Sequence, residues 1–322
     1  MIPRRLESLM NHLTDNTVLG ELLHPVEDAL ERVRCQSGIF WQLSMMDFIS
    51  LGVLRHLQGM KTLREQVQTL FHLSPDVSSR IPLARSTWSD ALRSCPRLAV
   101  LRDGLAVLVK QATAVLPDRL VEIPGLGDRP VFAMDGTYQQ ESVHYGRCTP
   151  RQGGYDNPKG HGLLTFYDVR LGCPVDVCVE TCNRHELTVL HDYDASPKAI
   201  TCQKRALWVV DRGFISARLW DEKKRKLRST VITRMKSSLV IEKAEVREVA
   251  SIPENRDVVK DEQVVLRSSS EPWRRITFCN DAGDEIAFLT NEMKLEPGVI
   301  AFLFLRRWDE EKCFDTWKND FS

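Results

Sequence analysis

Arg307, Glu311 and Lys318 carry the first arrangement in the chain that can do chemistry. On a helix, residues four apart stack on one face, and a residue seven further on returns to that face two turns later. One carboxylate between two cations suits a metal ion with phosphate on either side. The same spacing also describes a solvated helix face with ordinary ion pairs. Two more carboxylates stand upstream. Asp135 closes the apolar run from Val131 to Met134, and Asp211 closes the run from Ala206 to Val210. Each reads as a buried strand that stops at an acid with a turn-permissive glycine, Gly136 or Gly213, close behind. A rigid sheet fixes such acids well, and Mg²⁺ takes oxygen ligands, commonly a few carboxylates completed by water and substrate phosphate. Taken singly, either Asp fits a turn residue. Two such strands followed by an Arg/Glu/Lys helix make a much rarer combination.

The elements that must position these residues follow from periodicity. Phe302 to Lys318 reads as one helix with no Pro or Gly, and Pro297 and Gly298 stand before it as a start signal. Residues 1–120 read as all helix. Leu43 to Leu57 has helical spacing and Lys61 to Phe71 is amphipathic. Leu83 to Arg93 follows a Pro-bounded loop, with Ser86 as its expected N-cap. This pattern is helix-turn-helix-like, and Arg85, Thr87, Ser89 and Arg93 would face DNA; a helical bundle fits it equally. A Pro- and Gly-rich linker runs from Leu116 to Pro130, and strands begin there, so the division falls between 1–120 and 121–322.

Past a polar loop from Gln139 to Gly160, His161 to Asp168 and Cys173 to Val179 read as a hairpin joined through Arg170 to Gly172. Asp168 is a further strand-end acid, and its hairpin position favours a turn role. Asn183 to Glu186 opens a helix where Arg184 and His185 either meet phosphate or cap the helix. The interval from Asp211 to Glu311 is too long for a plain loop. It holds a basic run, Lys223 to Arg228, readable as a phosphate track or as a solvated helix end. The runs Glu262 to Leu266, Arg275 to Cys279 and Glu285 to Thr290 mark a β-rich insertion at about 223–296. Trp273 within it is a core residue or a platform for an unpaired base.

Composition sets bounds. The 322 residues suffice for one large or two modest domains, and 43% hydrophobic with 27% charged residues is ordinary for a globular protein. A net charge of zero means that any DNA-binding charge is concentrated locally. Nine cysteines cannot all pair internally. No signal peptide or membrane-length apolar run is present, so the expected setting is reducing and cytoplasmic, nucleoid-associated when bound to DNA, with no membrane partner. Cys173, Cys178 and Cys182 cluster, but lack a second ligand pair and read as thiols rather than a zinc site.

Together, Asp135-Gly136-Thr137, Asp211 to Phe214, and Arg307-x₃-Glu311-x₆-Lys318 resemble the DDE transposases of bacterial insertion sequences. The resemblance is to the insertion-sequence-four branch, whose signature adds a Tyr where this chain has Phe304. It implies an α/β fold: a ribonuclease-H-like mixed-sheet core with a β-rich insertion, preceded by an all-helical N-terminal region. It also implies that Asp135, Asp211 and Glu311 are catalytic and hold two Mg²⁺ ions, with Mn²⁺ as a substitute. Arg307, Lys318, Arg212, Arg184 and Lys159 would contact DNA. The partners implied are transposon ends and target DNA, with a homodimer forming in the DNA complex. Strand cleavage and transfer is the activity implied. A nuclease without strand transfer, or a DNA-binding remnant, are the alternatives. The family's last helix continues further than Ser322, only four residues past Lys318, so the resemblance also implies a shortened C-terminus.

Overall fold

The computed structural model describes residues 84–140, 149–150, 159–181, 184–196 and 198–319, with single positions between Val26 and Arg64. These fall into two compact units, residues 1–115 with 317–322, and residues 116–316.

In the first unit, α1 (Arg85–Leu92) and α2 (Cys95–Val115) are the described helices. Trp88 is fully buried, and Leu30, Met45 and Val100 form a small core. Arg97 is buried among them, its guanidinium 5.1 Å from the Phe48 ring. The expected cap at Ser86 is corrected. The N-cap is Ala84, which makes no side-chain cap bond, and Ser86 lies inside the helix. The expected helix from Lys61 to Phe71 lies almost wholly outside the described residues, and within Leu43 to Leu57 the described positions are helical.

The second unit is built on a ten-stranded mixed sheet. Its first part comprises β1 (Val131–Gln140), the short β2 (Thr149–Pro150), β3 (Lys159–Asp168) and β4 (Cys173–Thr181). β3 lies antiparallel between β1 and β4. The expected hairpin is present, and Asp168 has the turn role: its Oδ1 accepts the Arg170 and Leu171 amides at 2.8 and 3.0 Å. Gly172 closes the turn at φ +73°, where a Cβ would be strained and would also strike the Arg119 guanidinium.

The chain then crosses through α3 (Glu186–Asp194) to β5 (Leu207–Val210), and through α4 (Ala217–Leu227) to β6 (Thr230–Arg234). β5 is parallel to β1, and β6 to β5. Such crossovers bury a sheet on both faces, and all four residues of β5 are buried. On one face Trp208 stacks on Phe132, and Phe166 stacks on Tyr193 of α3. On the other, Val131, Ala133, Leu207 and Val209 join Ile232, Phe288 and the helix α5 (Pro297–Leu305) in the main core.

The expected strand-rich segment is present as β7 (Ile241–Val246), β8 (Val258–Leu266), β9 (Pro272–Cys279) and β10 (Glu285–Thr290). It is no separate sheet: β10 pairs antiparallel with β6, so the hairpins extend the same sheet in the order β10-β9-β8-β7. Trp273 is a core residue, fully buried, its Nε1 donating to Asp221 Oδ1 at 3.0 Å, so it offers no platform to a base. Arg274 and Asp261 form a pair only 1% and 2% exposed, and Arg274 also donates to the Leu295 carbonyl at 2.7 Å. Asn255 accepts the Gly298 amide at 3.0 Å, giving one of the unpaired N–H groups that open α5 a partner.

The single helix expected over Phe302 to Lys318 is corrected to two, α5 and α6 (Trp308–Asn319), separated at Arg306 and Arg307. The break is a tight turn in which the Arg307 amide bonds the Phe304 carbonyl at 3.1 Å, and the Glu310 amide bonds the Arg307 carbonyl at 3.0 Å. α5 is apolar and largely buried, whereas α6 opens on Asp309, Glu310 and Glu311. A straight continuation would have to serve two different environments.

Candidate active site

Because β1 and β5 are parallel and Met134 registers with Val210, the next residues, Asp135 and Asp211, stand side by side where β5 ends. The turn between α5 and α6 supplies the third group. Arg307 donates from Nη1 to Asp135 Oδ2 at 2.6 Å and from Nη2 to Glu311 Oε1 at 2.6 Å. A planar guanidinium fork of this kind brackets the two acceptors to within roughly 8 Å of each other. Arg307 is 8% exposed and lies 5.6 Å from the Phe304 ring. Phe304 is itself buried in the main core against Phe288. Its ring supports Arg307 from below.

The electrostatics are dominated by crowded acids. Burial pushes the Asp135 carboxyl up to about 6; Arg307 and the Gly136 amide oppose this, while Asp211 and Glu311 add to it. Glu186, the first residue of α3, is raised by burial and then by Asp135 and Asp211. Its carboxylate sits against the glycines that follow both aspartates. A Cβ on Gly136 would overlap Glu186 Oε1 and come within 3.1 Å of Cδ, and one on Gly213 would overlap Oε2. Glu310 is 0% exposed, and neither of its oxygens has a hydrogen-bond partner. Burial raises it well above the usual carboxylate range and Asp135 adds to that. Arg307 and then the Asp135 amide pull it the other way, the amide without a well-formed hydrogen bond. A cleft of about 210 Å³ runs beside this cluster, lined by Gly136, Tyr138, Gly162, Glu180, Arg184 and Glu186 among others.

Asp135, Asp211, Glu311 and Arg307 thus lie close together, with Arg307 paired to two of the acids. Arg212 is exposed in the 3₁₀ turn Arg212–Phe214, beside Asp211. Arg184 borders the cleft but is held by Glu180 at 2.9 Å and Asp192 at 2.5 Å. His185 caps α3, its Nδ1 accepting the Leu187 amide at 3.2 Å. The side chains of Lys159 and Lys318 lie outside the described residues. The basic run is partly committed within the fold. Lys223 pairs with Asp194 at 2.8 Å, Lys224 donates to the Asn291 carbonyl at 2.7 Å, and Lys226 pairs with Glu222 at 2.5 Å. The sequence reading missed Glu186 and Glu310. A glycine close behind each strand-end acid, Gly136 and Gly213, was the one available hint that something packs there.

Among the described residues, no group of three or more His, Cys, Asp or Glu side chains is placed to hold a metal ion. The donor set nevertheless suits a hard cation: all are carboxylate oxygens, crowded around one guanidinium.

An α/β domain with acids at the ends of adjacent parallel strands and on a following helix belongs to a definable class. The transposase DDE domain family matches residues 126–322, more than half of the sequence. The chain belongs to that family. No curated protein matches it significantly. Among solved structures it is similar to the piggyBac transposase in a synaptic complex with hairpin DNA, at 9% identity and a TM-score of 0.43, over 94% of this chain. The chain spans 65% of that protein's chain.

Proposed function

We propose that this chain is a transposase of the insertion-sequence-four branch that cuts transposon ends and joins the freed 3′-OH to target DNA. The observation that carries the reading is the meeting of Asp135 and Asp211, at the ends of neighbouring parallel strands, with Glu311 through Arg307. The strand order β4-β3-β1-β5-β6, antiparallel on one side of β1 and parallel on the other, supports a ribonuclease-H-like core. In cleavage, water attacks the scissile phosphorus and the P–O3′ bond breaks. In transfer, the released 3′ hydroxyl attacks a target phosphorus, the target's own P–O3′ bond breaks, and the target's 3′ oxygen leaves and takes up a proton.

Asp135, Asp211 and Glu311 would hold two Mg²⁺ ions, or Mn²⁺ in their place, which activate the nucleophile and stabilise the leaving oxygen. The remaining work falls to the chain itself. Arg307 offers a rigid fork that suits a phosphate as well as a carboxylate, so it passes from Asp135 and Glu311 to the DNA backbone. Arg212 and Lys318 hold phosphates further along. Burial of Asp135 keeps bulk water from the reacting atoms and strengthens each charge interaction there. A homodimer on paired ends completes the reading.

The test is Mg²⁺-dependent nicking of a labelled transposon end, comparing the purified chain with Glu311→Ala, followed by a search for strand-transfer products on a plasmid. Nicking and joining that vanish in the variant are expected. Nicking without joining points to a plain nuclease, and binding without nicking to a DNA-binding remnant; each would overturn the proposal.

A further inference from the structure

β7 closes the extended end of the sheet, and among the described residues no further strand lies beside it. An edge strand offers a row of N–H and C=O groups to another chain, and proteins usually blunt it with Pro, a bulge or unanswered charge. β7 contains no Pro, and Glu242 to Val246 are all exposed. Its irregularity falls at its start, between Ile241 and Lys243, and the rest pairs regularly with β8, Ala244 opposite Val264 and Val246 opposite Glu262. The next amide, that of Arg247, donates to the Asp261 carbonyl at 2.9 Å. In an antiparallel ladder, bonded and non-bonded pairs alternate. Ala244 and Val246 therefore turn their N–H and C=O groups away from β8, to the open edge.

The side chains along that edge fit a second copy of the same strand. An isologous contact must be complementary to itself. With two β7 strands antiparallel and Ala244 on the two-fold axis, Lys243 of each copy stands opposite Glu245 of the other. Opposite charges at facing positions stabilise such a pair, and like charges destabilise it. Within one chain Lys243 and Glu245 already pair at 2.5 Å, 67% and 58% exposed, so both charges are available at the surface. Ala244 meets itself with only a methyl group, and its outward N–H and C=O can bond their counterparts twice. Centring there overlaps the whole strand. Val240 and Val246, exposed at 45% and 72%, flank the contact and supply apolar surface for it to cover.

We propose that β7 is an interface between two copies of this chain, paired antiparallel about Ala244 so that the two sheets run on as one. The inference rests on the homodimer in the proposed function, to which it gives a surface, and is independent of the chemistry at Asp135. It explains why this edge carries a lysine yet answers it with a glutamate two residues on: the charge selects a partner strand instead of repelling every one.

The test is sedimentation of the full chain without DNA over a range of concentrations, in wild type, Lys243→Glu, Glu245→Lys and the double reversal. Each single reversal sets like charges opposite one another at two symmetric places. It is expected to raise the Kd of the dimer about tenfold. The double reversal restores opposite charges at both places and is expected to recover wild-type affinity. Ala244→Pro removes the bond donated at the axis and is expected to leave a monomer. Should that variant fail to fold, the reversals at exposed positions still decide. A wild-type chain that stays monomeric overturns the proposal. So does a dimer indifferent to the single reversals, or a double reversal as weak as either one. Mg²⁺-dependent nicking of the labelled end, measured alongside, separates the two readings. Nicking that persists with any of those results overturns the edge assignment and leaves cleavage standing. A dimer that behaves as expected in a chain that does not nick overturns cleavage and leaves the interface.

Discussion

Asp135→Asn should stabilise the protein at neutral pH while abolishing cleavage. In the folded chain the Asp135 carboxyl is raised from 3.8 to about 6, chiefly by burial, with its side chain 15% exposed. Between those two pH values the folded state keeps a proton that the unfolded state has released. Stability therefore falls as pH rises through that window, and levels off above the folded value. Each pH unit of separation is worth about 1.4 kcal/mol, so the ionised form costs the fold about 3 kcal/mol at pH 7.5. Asn imitates the neutral acid and escapes that cost. Urea denaturation of both chains from pH 4 to pH 8 measures it. The variant's stability relative to wild type should climb by up to about 3 kcal/mol from pH 4 to pH 7 and then stay constant. The steepest part should lie between pH 4 and 6. A flat difference, or one that falls with pH, would refute the argument that burial dominates over Arg307 at this carboxyl.

Three other outcomes are expected. Gly298→Ala places a Cβ inside the Glu254 carbonyl group, 2.5 Å from its carbon and 3.1 Å from the Asn255 nitrogen. Overpacking against backbone costs about 3 kcal/mol, so calorimetry should show Tm falling by roughly 6–12 °C. Asp261→Asn leaves the buried Arg274 guanidinium without its charge partner and should cost about 3–5 kcal/mol in urea denaturation. Arg307→Ala should weaken binding to cleaved-end DNA and lower the slope of log affinity against log salt by about one; an unchanged slope would make Arg307 a purely structural residue.

The acids at strand ends were legible because a short apolar run that stops at Asp carries its own boundary. The i, i+4 pair Arg307 and Glu311 was legible because helical spacing survives a tight turn at its start. The break itself was not, since Leu305, Arg306 and Arg307 contain no Pro or Gly. It follows from α5 being buried and α6 being charged, a tertiary distinction. Arg184, Lys223 and Lys224 read as free cations for the same reason. Their partners Asp192, Asp194 and the Asn291 carbonyl are set by packing, which spacing does not encode. Glu186 and Glu310 were not singled out, because a lone carboxylate has no period.

The added hairpins do more than widen the sheet. A carboxylate with the role proposed for Glu311 must be held to within about 0.5 Å of its working position, and Glu311 sits one turn into a helix that begins at a tight turn. What fixes that turn lies upstream. Phe304 is locked in the core beneath Arg307. The start of α5 is tied to Asn255, which also donates to Glu296 at 2.9 Å. The segment leading into α5 is held by Arg274, through the carbonyls of Glu292 and Leu295 at 3.2 and 2.7 Å. Asn255 and Arg274 both belong to the strand-rich segment. The position of Glu311 is therefore set by the sheet extension acting through α5. A substitution at Asn255 or Arg274 should lower cleavage by moving the acid while leaving Arg212 and Arg307, the charges proposed to bind DNA, in place.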